Sequence, residues 1–352
     1  MSDLLSSLQI GSGRRRIAGL IAVGVAVIVV AGIVFPDSIA GILLSIVTSK
    51  SALSSTLRLS VPIAFAALGG IFAEKSGIIN IGIEGHLIIA AFVAIYGTNL
   101  TGSIWLGFVA GVLASTLLAG LFAVICIEFR ADQIIAGLAV WLVALGLAPF
   151  LSTVIYGSVN VDGSGSFGRF TIPVLSEIPF FGALFSATFP VYLLFIAVAL
   201  SWYVLNRTSF GRWVNASGEN PEALATVGVS VRRVRYVSVL LSGVLAGMGG
   251  ASFSIGLSQF VGNGQTMIGG RGFIAIVAYL FGNYNPVGAF FSTTLFAGLQ
   301  ALQIRLQSVP GYAVPDSLIQ TIPYITVIVV LAFVGRTRIP SAAGEHYDSG
   351  ED

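Results

Sequence analysis

The sequence predicts an all-α, polytopic membrane protein of about ten transmembrane helices, some of them discontinuous, with a weak inverted repeat. Three observations predict it. Only 9% of the 352 residues are charged and 56% are hydrophobic, with mean hydropathy +0.95, whereas soluble proteins carry about 25% charged residues. Inside a bilayer every backbone N–H and C=O must be satisfied by the protein itself, which leaves helices or a closed barrel. The apolar runs are about 20 residues long instead of about ten with strict alternation, and that length selects helices. The 43 glycines suit close helix packing and interrupted helices.

The elements follow in order. Residues 1–16 are polar and basic and are expected on the cytoplasmic side. Arg14–Arg16 precede an apolar run from Ile17 to Phe35, and no small-residue cleavage site follows before Pro36, so this run is expected to be a retained first span. Ser38–Val47 either lies at the outer interface or re-enters the membrane. A span from about Ser51 to Ala73 carries Arg58 and Pro62, which suit a kinked or protein-packed helix better than a lipid-exposed one. Glu74-Lys75-Ser76-Gly77 is a charged break. Spans are expected next at Ile78–Tyr96, Ser103–Ile127 and Ile134–Tyr156, separated by a turn at Gly97–Gly102 and an inner loop at Glu128–Gln133. Residues 157–181, rich in Gly, Ser, Pro and Phe, read as an external loop with room for a short interfacial helix. Ala183–Leu205 then closes a first membrane half, residues 17–205.

Asn206–Arg235 interrupts the apolar pattern for about 30 residues, with Arg207, Arg212, Arg232, Arg233 and Arg235 against Glu219 and Glu222. That excess marks a cytoplasmic loop. Within it Pro221–Gly228 reads as a short helix: Pro221 suits its first turn, Glu222 the dipole there, and Gly228 its end. Two roles are open, a docking surface for a soluble partner or a solvated loop with an incidental helix. The second half, residues 236–335, begins with the span Tyr236–Leu257. Residues 265–281 are short for a span, and Gly262, Gly264, Gly269, Gly270 and Gly272 oppose a continuous helix; broken helices are tolerated where they line protein or a cavity. An inner turn at Gly282–Asn285 leads to spans at Pro286–Ile304 and Ser317–Val334. Arg336 and Arg338 mark the last inner boundary, and residues 336–352 form a cytoplasmic tail. An even span count puts both termini inside. Ile81-Gly82-Ile83-Glu84-Gly85 matches Ile268-Gly269-Gly270-Arg271-Gly272 in spacing, and the two run in opposite directions through the membrane, as in an inverted repeat.

Ionisable groups at membrane depth are costly unless paired or facing a wet interior, which singles out Glu84 and Arg271. Asn80 and Glu84 are four apart and share a helix face, with His86 beside them. These residues either lock helices through caps and a buried ion pair or form a polar wall of a translocation path, and the two roles can coexist. Gln259, Phe260, Asn263 and Gln265 form a second patch in which a ring could stack on a base and amides could bond its edge or a sugar hydroxyl. Phe260 and Trp141 can equally be packing residues. Gln133 follows Asp132 at the start of a span.

Chemistry of other kinds finds no footing. Glu74 and Glu84 lack a paired acid or a histidine base at catalytic spacing, so no enzyme activity is expected. No glycine-rich loop carries the Lys-Ser or Lys-Thr that would hold ATP. Cys126, His86 and His346 make no metal-ligand set, so no cofactor is expected on this chain. With a net charge of +2 and no basic domain, nucleic-acid recognition is not expected either.

The chain resembles the second permease subunit of bacterial and archaeal nucleoside ABC importers, within the branched-chain amino acid and simple-sugar permease superfamily. The resemblance runs from about Ser51 to Tyr347. It rests on Ala67-Leu68-Gly69-Gly70, Glu74-Lys75-Ser76-Gly77, Asn80–Gly85, Ala131-Asp132-Gln133-Ile134-Ile135-Ala136-Gly137 and Gly218-Glu219-Asn220-Pro221 with Ala225 and Gly228. Further on it rests on Arg235-Tyr236, Leu241-Ser242-Gly243, Gly270–Ala275 and Pro323-Tyr324. Trp141, where the family pattern has Asn, His86 in place of Met or Gln, and the polar Asn263-Gly264-Gln265-Thr266 depart from it. The resemblance implies ATP-driven nucleoside import in the cell membrane. The partners implied are a second homologous permease, a cytoplasmic ATPase with duplicated or paired nucleotide-binding domains that holds ATP and Mg, an external substrate-binding lipoprotein, and the lipid bilayer. It also implies a coupling role for Glu219, Asn220, Pro221, Glu222, Ala225 and Gly228. The alternatives are a simple-sugar importer of the same kind and an ion-coupled secondary transporter.

Overall fold

The computed structural model describes residues 26–27, 29–35, 38–307 and 338–347. In chain order its helices are α1 (Ile39–Val47), α2 (Lys50–Lys75), α3 (Ile83–Thr101), α4 (Ile104–Ile127), α5 (Gln133–Tyr156), α6 (Phe189–Arg207), α7 (Ser209–Glu219), α8 (Pro221–Thr226), α9 (Val231–Leu257), α10 (Arg271–Phe281) and α11 (Pro286–Gln307). Seven of the described helices, α2 to α6 with α9 and α11, are long and apolar enough to cross a membrane. The protein is an all-α, multi-spanning membrane protein with discontinuous helices; its four described strands have three residues each. The expected tail 1–16, most of the expected first span, the last span Ser317–Val334 and Arg336 lie outside the described residues.

The chain divides into two compact units. One draws on Met1–Thr56, Ile172–Phe185 and Gly298–Gly335. It contains α1, whose N-cap Ser38 Oγ accepts from Gly41 N at 3.2 Å, and two 3-10 turns, Leu175–Glu177 and Phe181–Phe185. Lys50 Nζ donates to the Ser176 carbonyl within it. The other unit, Leu57–Thr171, Ser186–Ala297 and Arg336–Asp352, holds every candidate residue.

At the centre of this second unit α3, α4 and α9 pack against one another. Small residues make this possible, since in lipid the attraction between helices comes from close packing. A Cβ on Gly250 would sit 2.3 Å from the Leu87 carbonyl oxygen, so only glycine lets α9 meet α3 there. Ser115 Oγ donates to the Gly243 carbonyl at 2.7 Å, closing α4 on α9. By contrast α4 and α5 present Leu113, Leu117, Leu121, Leu142, Val143 and Val154 outward, each more than half exposed, as a lipid-facing surface requires.

Several boundaries differ from expectation. α3 begins at Ile83 instead of Ile78: the chain turns at Gly77, whose φ is +97°, and the stretch that follows is held from outside, with Gln133 Oε1 accepting from the Ile79 amide at 2.7 Å. α6 starts at Phe189 instead of Ala183, with Pro190 in its first turn. The 157–181 stretch contributes one strand to each of two antiparallel pairs: β1 (Asn160–Asp162) pairs with β4 (Gln259–Val261), which follows α9, and β2 (Arg169–Thr171) with β3 (Ser186–Thr188), which precedes α6. The stretch 206–235 contains α7, absent from the expected elements. Thr208 caps it by accepting from Gly211 N at 3.2 Å, and its buried face is Gly211, Val214, Ser217 and Gly218.

Candidate functional site

Two interruptions meet in the second unit. The first, Ser76–Gly82, separates α2 from α3; the second, Gly262–Gly270, precedes α10. In the second, Gly264, Thr266, Gly269 and Gly270 all have positive φ, a left-handed run that no helix can include. The 11 residues of α10 rise about 16 Å, half of what a bilayer core needs.

Both ends of α10 are held by buried carboxylates from the α2–α3 junction. At its N-terminus Glu84 Oε1 accepts from Gly270 N at 2.7 Å and Oε2 from Gly272 N at 2.6 Å. Those amides have no partner inside the helix and carry the positive end of its dipole, so an anion is the fitting acceptor. The backbones nearly touch: a Cβ on Gly272 would lie 2.6 Å from Glu84 Cα. At the other end Glu74 accepts from Tyr279 Oη and, at 2.7 Å, from Tyr284 Oη. Tyr284 lies outside the helices, and burial followed by the Glu74 charge pushes its hydroxyl pKa up, keeping it a donor.

The expected Glu84–Arg271 ion pair takes another form. Arg271 Nη1 donates to the Met267 and Ile268 carbonyls at 3.0 and 2.7 Å, and its guanidinium lies 4.4 Å over the Phe253 ring. It stabilises the irregular turn before α10 and supports Glu84 through charge. A carboxylate reaches the Gly270 and Gly272 amides at the helix start more readily than it reaches a guanidinium that is tied to its own turn.

The other candidates divide by environment. Asn80, His86 and Gln133 are buried. Asn80 Nδ2 donates to Ser242 Oγ at 3.3 Å, leaving its Oδ1 without a partner; Gln133 Nε2 and both ring nitrogens of His86 also lack one. Gln133 opens α5, whose N-cap Asp132 accepts from Ile134 N and Ile135 N at 2.9 Å. Trp141 packs edge-on against Phe273 of α10 at 5.2 Å, and His86 against Phe122 at 6.5 Å. Phe260 is fully buried on β4 and edge-on to Phe92 at 5.3 Å, a packing role. Gln259 beside it is half-buried, while Asn263 and Gln265 are exposed.

In the 206–235 stretch α8 is capped by Asn220, whose Oδ1 accepts from Ala223 N at 3.0 Å. Leu224 anchors it from a buried position, while Glu219, Asn220, Glu222 and Gly228 are exposed, Pro221 and Ala225 are half-buried, and Val227 is 72% exposed. Gly228 has φ +78° with open space around it. It is α7, not α8, that touches the first interruption: Ser217 Oγ donates to the Ser76 carbonyl at 2.8 Å and Lys75 Nζ to Asn215 Oδ1 at 2.7 Å. A second anchor joins the end of α4 to α9. Glu128 accepts from Tyr236 Oη at 2.6 Å and from Arg232 Nε at 2.7 Å, and these bonds, the tyrosine first, hold its pKa below the usual carboxylate value. Among the described residues no group of three His, Cys, Asp or Glu could hold a metal.

Of these features, Glu74 with its two tyrosines and the α7 contacts were not among the sequence candidates. The available signal was a pair of tyrosines, Tyr279 and Tyr284, beside an otherwise apolar stretch.

Comparison with known proteins gives consistent results. Residues 52–332 match the family described as branched-chain amino acid transport system / permease component. A nucleoside ABC transporter permease protein of Lactococcus lactis is 38% identical, over 85% of this chain and 97% of its own length. A guanosine ABC transporter permease protein of Bacillus subtilis is 35% identical, over 84% and 96%. A protein of Haloferax volcanii, provisionally named a glucose ABC transporter permease, is 32% identical, over 85% and 98%. No solved structure matches the chain.

Proposed function

Since the chain belongs to the family of branched-chain amino acid transport system permease components, we propose that it forms one half of the membrane core of an ATP-driven importer that moves nucleosides inward. The observation that carries the substrate is the 38% identity that spans 97% of a nucleoside permease. The chain is a transport subunit and not an enzyme. The proposed partners are a second, homologous permease, a cytoplasmic ATPase that binds ATP and Mg, and an external substrate-binding lipoprotein.

The proposed topology has ten spans, with residues 1–16 and 336–352 cytoplasmic and residues 206–235 joining the membrane halves 17–205 and 236–335. Seven long helices together with the short α10 support that count. An inverted repeat is supported by the parallel placement of Ile81–Gly85 and Ile268–Gly272, each at the start of a helix. Nothing covalent happens to the solute. The external protein delivers it, closure of the ATPases pushes on Glu219 to Gly228, and the two interruptions change their arrangement to alternate access. Buried polar atoms are normally hydrogen-bonded, so the unpartnered atoms of Asn80, His86 and Gln133 are suited to bonds with a passing solute. Glu84 and Arg271 keep α10 in register beside them. Trp141, Gln259, Asn263 and Gln265 complete the proposed path, and Phe260 packs behind it against Phe92.

Import of a simple sugar is a second reading, favoured by the Haloferax relative. Uptake of labelled guanosine, adenosine, uridine and ribose by the purified complex separates the two. Nucleoside uptake that ribose does not compete is the expected result; ribose uptake that nucleosides do not compete overturns the substrate assignment.

A further inference from the structure

The segment from Arg338 to Tyr347 has no part in the scheme above, yet it touches four elements. Arg338 N donates to Asn283 Oδ1 at 3.0 Å, in the turn after α10. Ser341 Oγ donates to Glu219 Oε2 at 3.1 Å, and Ala342 N to the Gly218 carbonyl at 2.7 Å, both at the end of α7. Gly344 N donates to the Gly77 carbonyl at 3.0 Å, inside the α2–α3 interruption. Arg235 of α9, itself buried, donates through Nη1 to the Glu345 carbonyl at 2.8 Å. Ordering a segment near a chain end costs backbone entropy at each residue. Five hydrogen bonds and a buried Ala342 therefore describe a tail that is tied down.

The tie sits on the joint where α7 meets the interruption. α7 already lies as close as backbone allows: a Cβ on Gly218 would be 2.3 Å from the Lys75 carbonyl oxygen. Bonds from successive strap residues then run to both sides of the joint, Ala342 to Gly218 and Gly344 to Gly77. Beside the joint lies a cavity of about 210 Å³, lined by Lys75, Asn215, Glu219, Tyr284 and Arg338 among others.

We propose that Ser341–Tyr347 is a positioning strap that locks α7 to the α2–α3 interruption, so that displacement of the cytoplasmic loop moves the interruption and is not absorbed by α7 sliding past it. The proposal rests on the importer reading for what the motion accomplishes. It also gives Arg235 a role: the guanidinium pins the far end of the strap to α9.

Ala342→Pro removes the N–H that Gly218 accepts, and Ala342→Ser keeps it. Both are compared with the parent chain in the full complex, reconstituted in proteoliposomes, by uptake per ATP hydrolysed and by hydrogen exchange at the Gly344 amide. In Ala342→Pro the Gly344 amide is expected to exchange faster and ATP hydrolysis to continue, with uptake per ATP reduced at least about fivefold, the lower end of coupling between distant sites. Ala342→Ser is expected to restore the parent ratio, which a general loss of packing would not do. Unchanged uptake per ATP in an Ala342→Pro complex whose Gly344 amide exchanges freely overturns the proposal. If Ala342→Pro does not assemble, Gly344→Ala, strained at φ +84°, is scored by the same ratio and the same two outcomes. Hydrogen exchange needs no transport, so a protected Gly344 in a parent complex that imports no nucleoside would count against the importer reading and leave the strap standing.

Discussion

Glu84→Ala and Glu84→Gln test the clamp on α10. In the parent chain the carboxylate accepts from the half-buried Gly270 amide at 2.7 Å and the buried Gly272 amide at 2.6 Å. Alanine leaves both N–H groups unpartnered, at about 1 kcal/mol for the half-buried Gly270 amide and about 3 kcal/mol for the buried Gly272 amide, so α10 should lose about 4 kcal/mol of local stability. Glutamine keeps one carbonyl oxygen for one amide but turns its NH2 toward the other, and it gives up the attraction to the helix N-terminus. Losing one charge-assisted bond costs about 1.5–3 kcal/mol, so about 2 kcal/mol is expected. Hydrogen exchange at Gly270 and Gly272 in lipid nanodiscs measures this directly. With each 1.4 kcal/mol worth about tenfold, exchange should quicken about 30-fold in the glutamine variant and several hundredfold in the alanine variant. Exchange within about twofold of the parent in both variants, or a glutamine variant more perturbed than the alanine one, would refute the clamp.

Three further outcomes follow from the same contacts. Tyr279→Phe removes one of the two donors to Glu74 and should lower unfolding stability by about 1–3 kcal/mol, read from denaturant titration in detergent; Tyr203→Phe, with an exposed ring, should lie within about 0.5 kcal/mol of the parent. Gly218→Leu forces a side chain onto the Lys75 carbonyl and should cost about 1–3 kcal/mol through overpacking, with the Lys75–Asn215 bond lost; a structure of the variant with α7 undisplaced would refute it. The depressed pKa of Glu128 gives a contribution that is present above the ordinary carboxylate value and lost as pH falls through the lower, folded-state value. The stability difference between the parent and Glu128→Gln should thus be present at neutral pH and vanish in acid below the usual carboxylate range, as a pH series of melting curves would show.

Hydropathy alone exposed the spans, because lipid demands long apolar runs whatever the packing. It also flagged Glu84 and Arg271, since charge at that depth needs a reason. Their partners were hidden, because a carboxylate that caps a helix leaves no sequence pattern across 186 and 188 residues of separation. The start of α3 is hidden for a similar reason: Ser76–Gly82 is held by distant groups, Gln133 Oε1 on the Ile79 amide and Ser217 Oγ on the Ser76 carbonyl. α7 was missed because its buried face is built from Gly211, Val214, Ser217 and Gly218, which give no hydrophobic stripe. The strap was invisible, since Ser341–Tyr347 binds mainly through backbone groups that every sequence possesses.

The central claim is that this chain imports nucleosides only when ATPase partners drive it. Accumulation of labelled guanosine should be measured in proteoliposomes that hold both permeases and the binding protein, with and without the ATPase and MgATP. The account predicts accumulation against a gradient only with ATPase and MgATP together. Equal accumulation by the permeases alone, driven by an ion gradient, would contradict it.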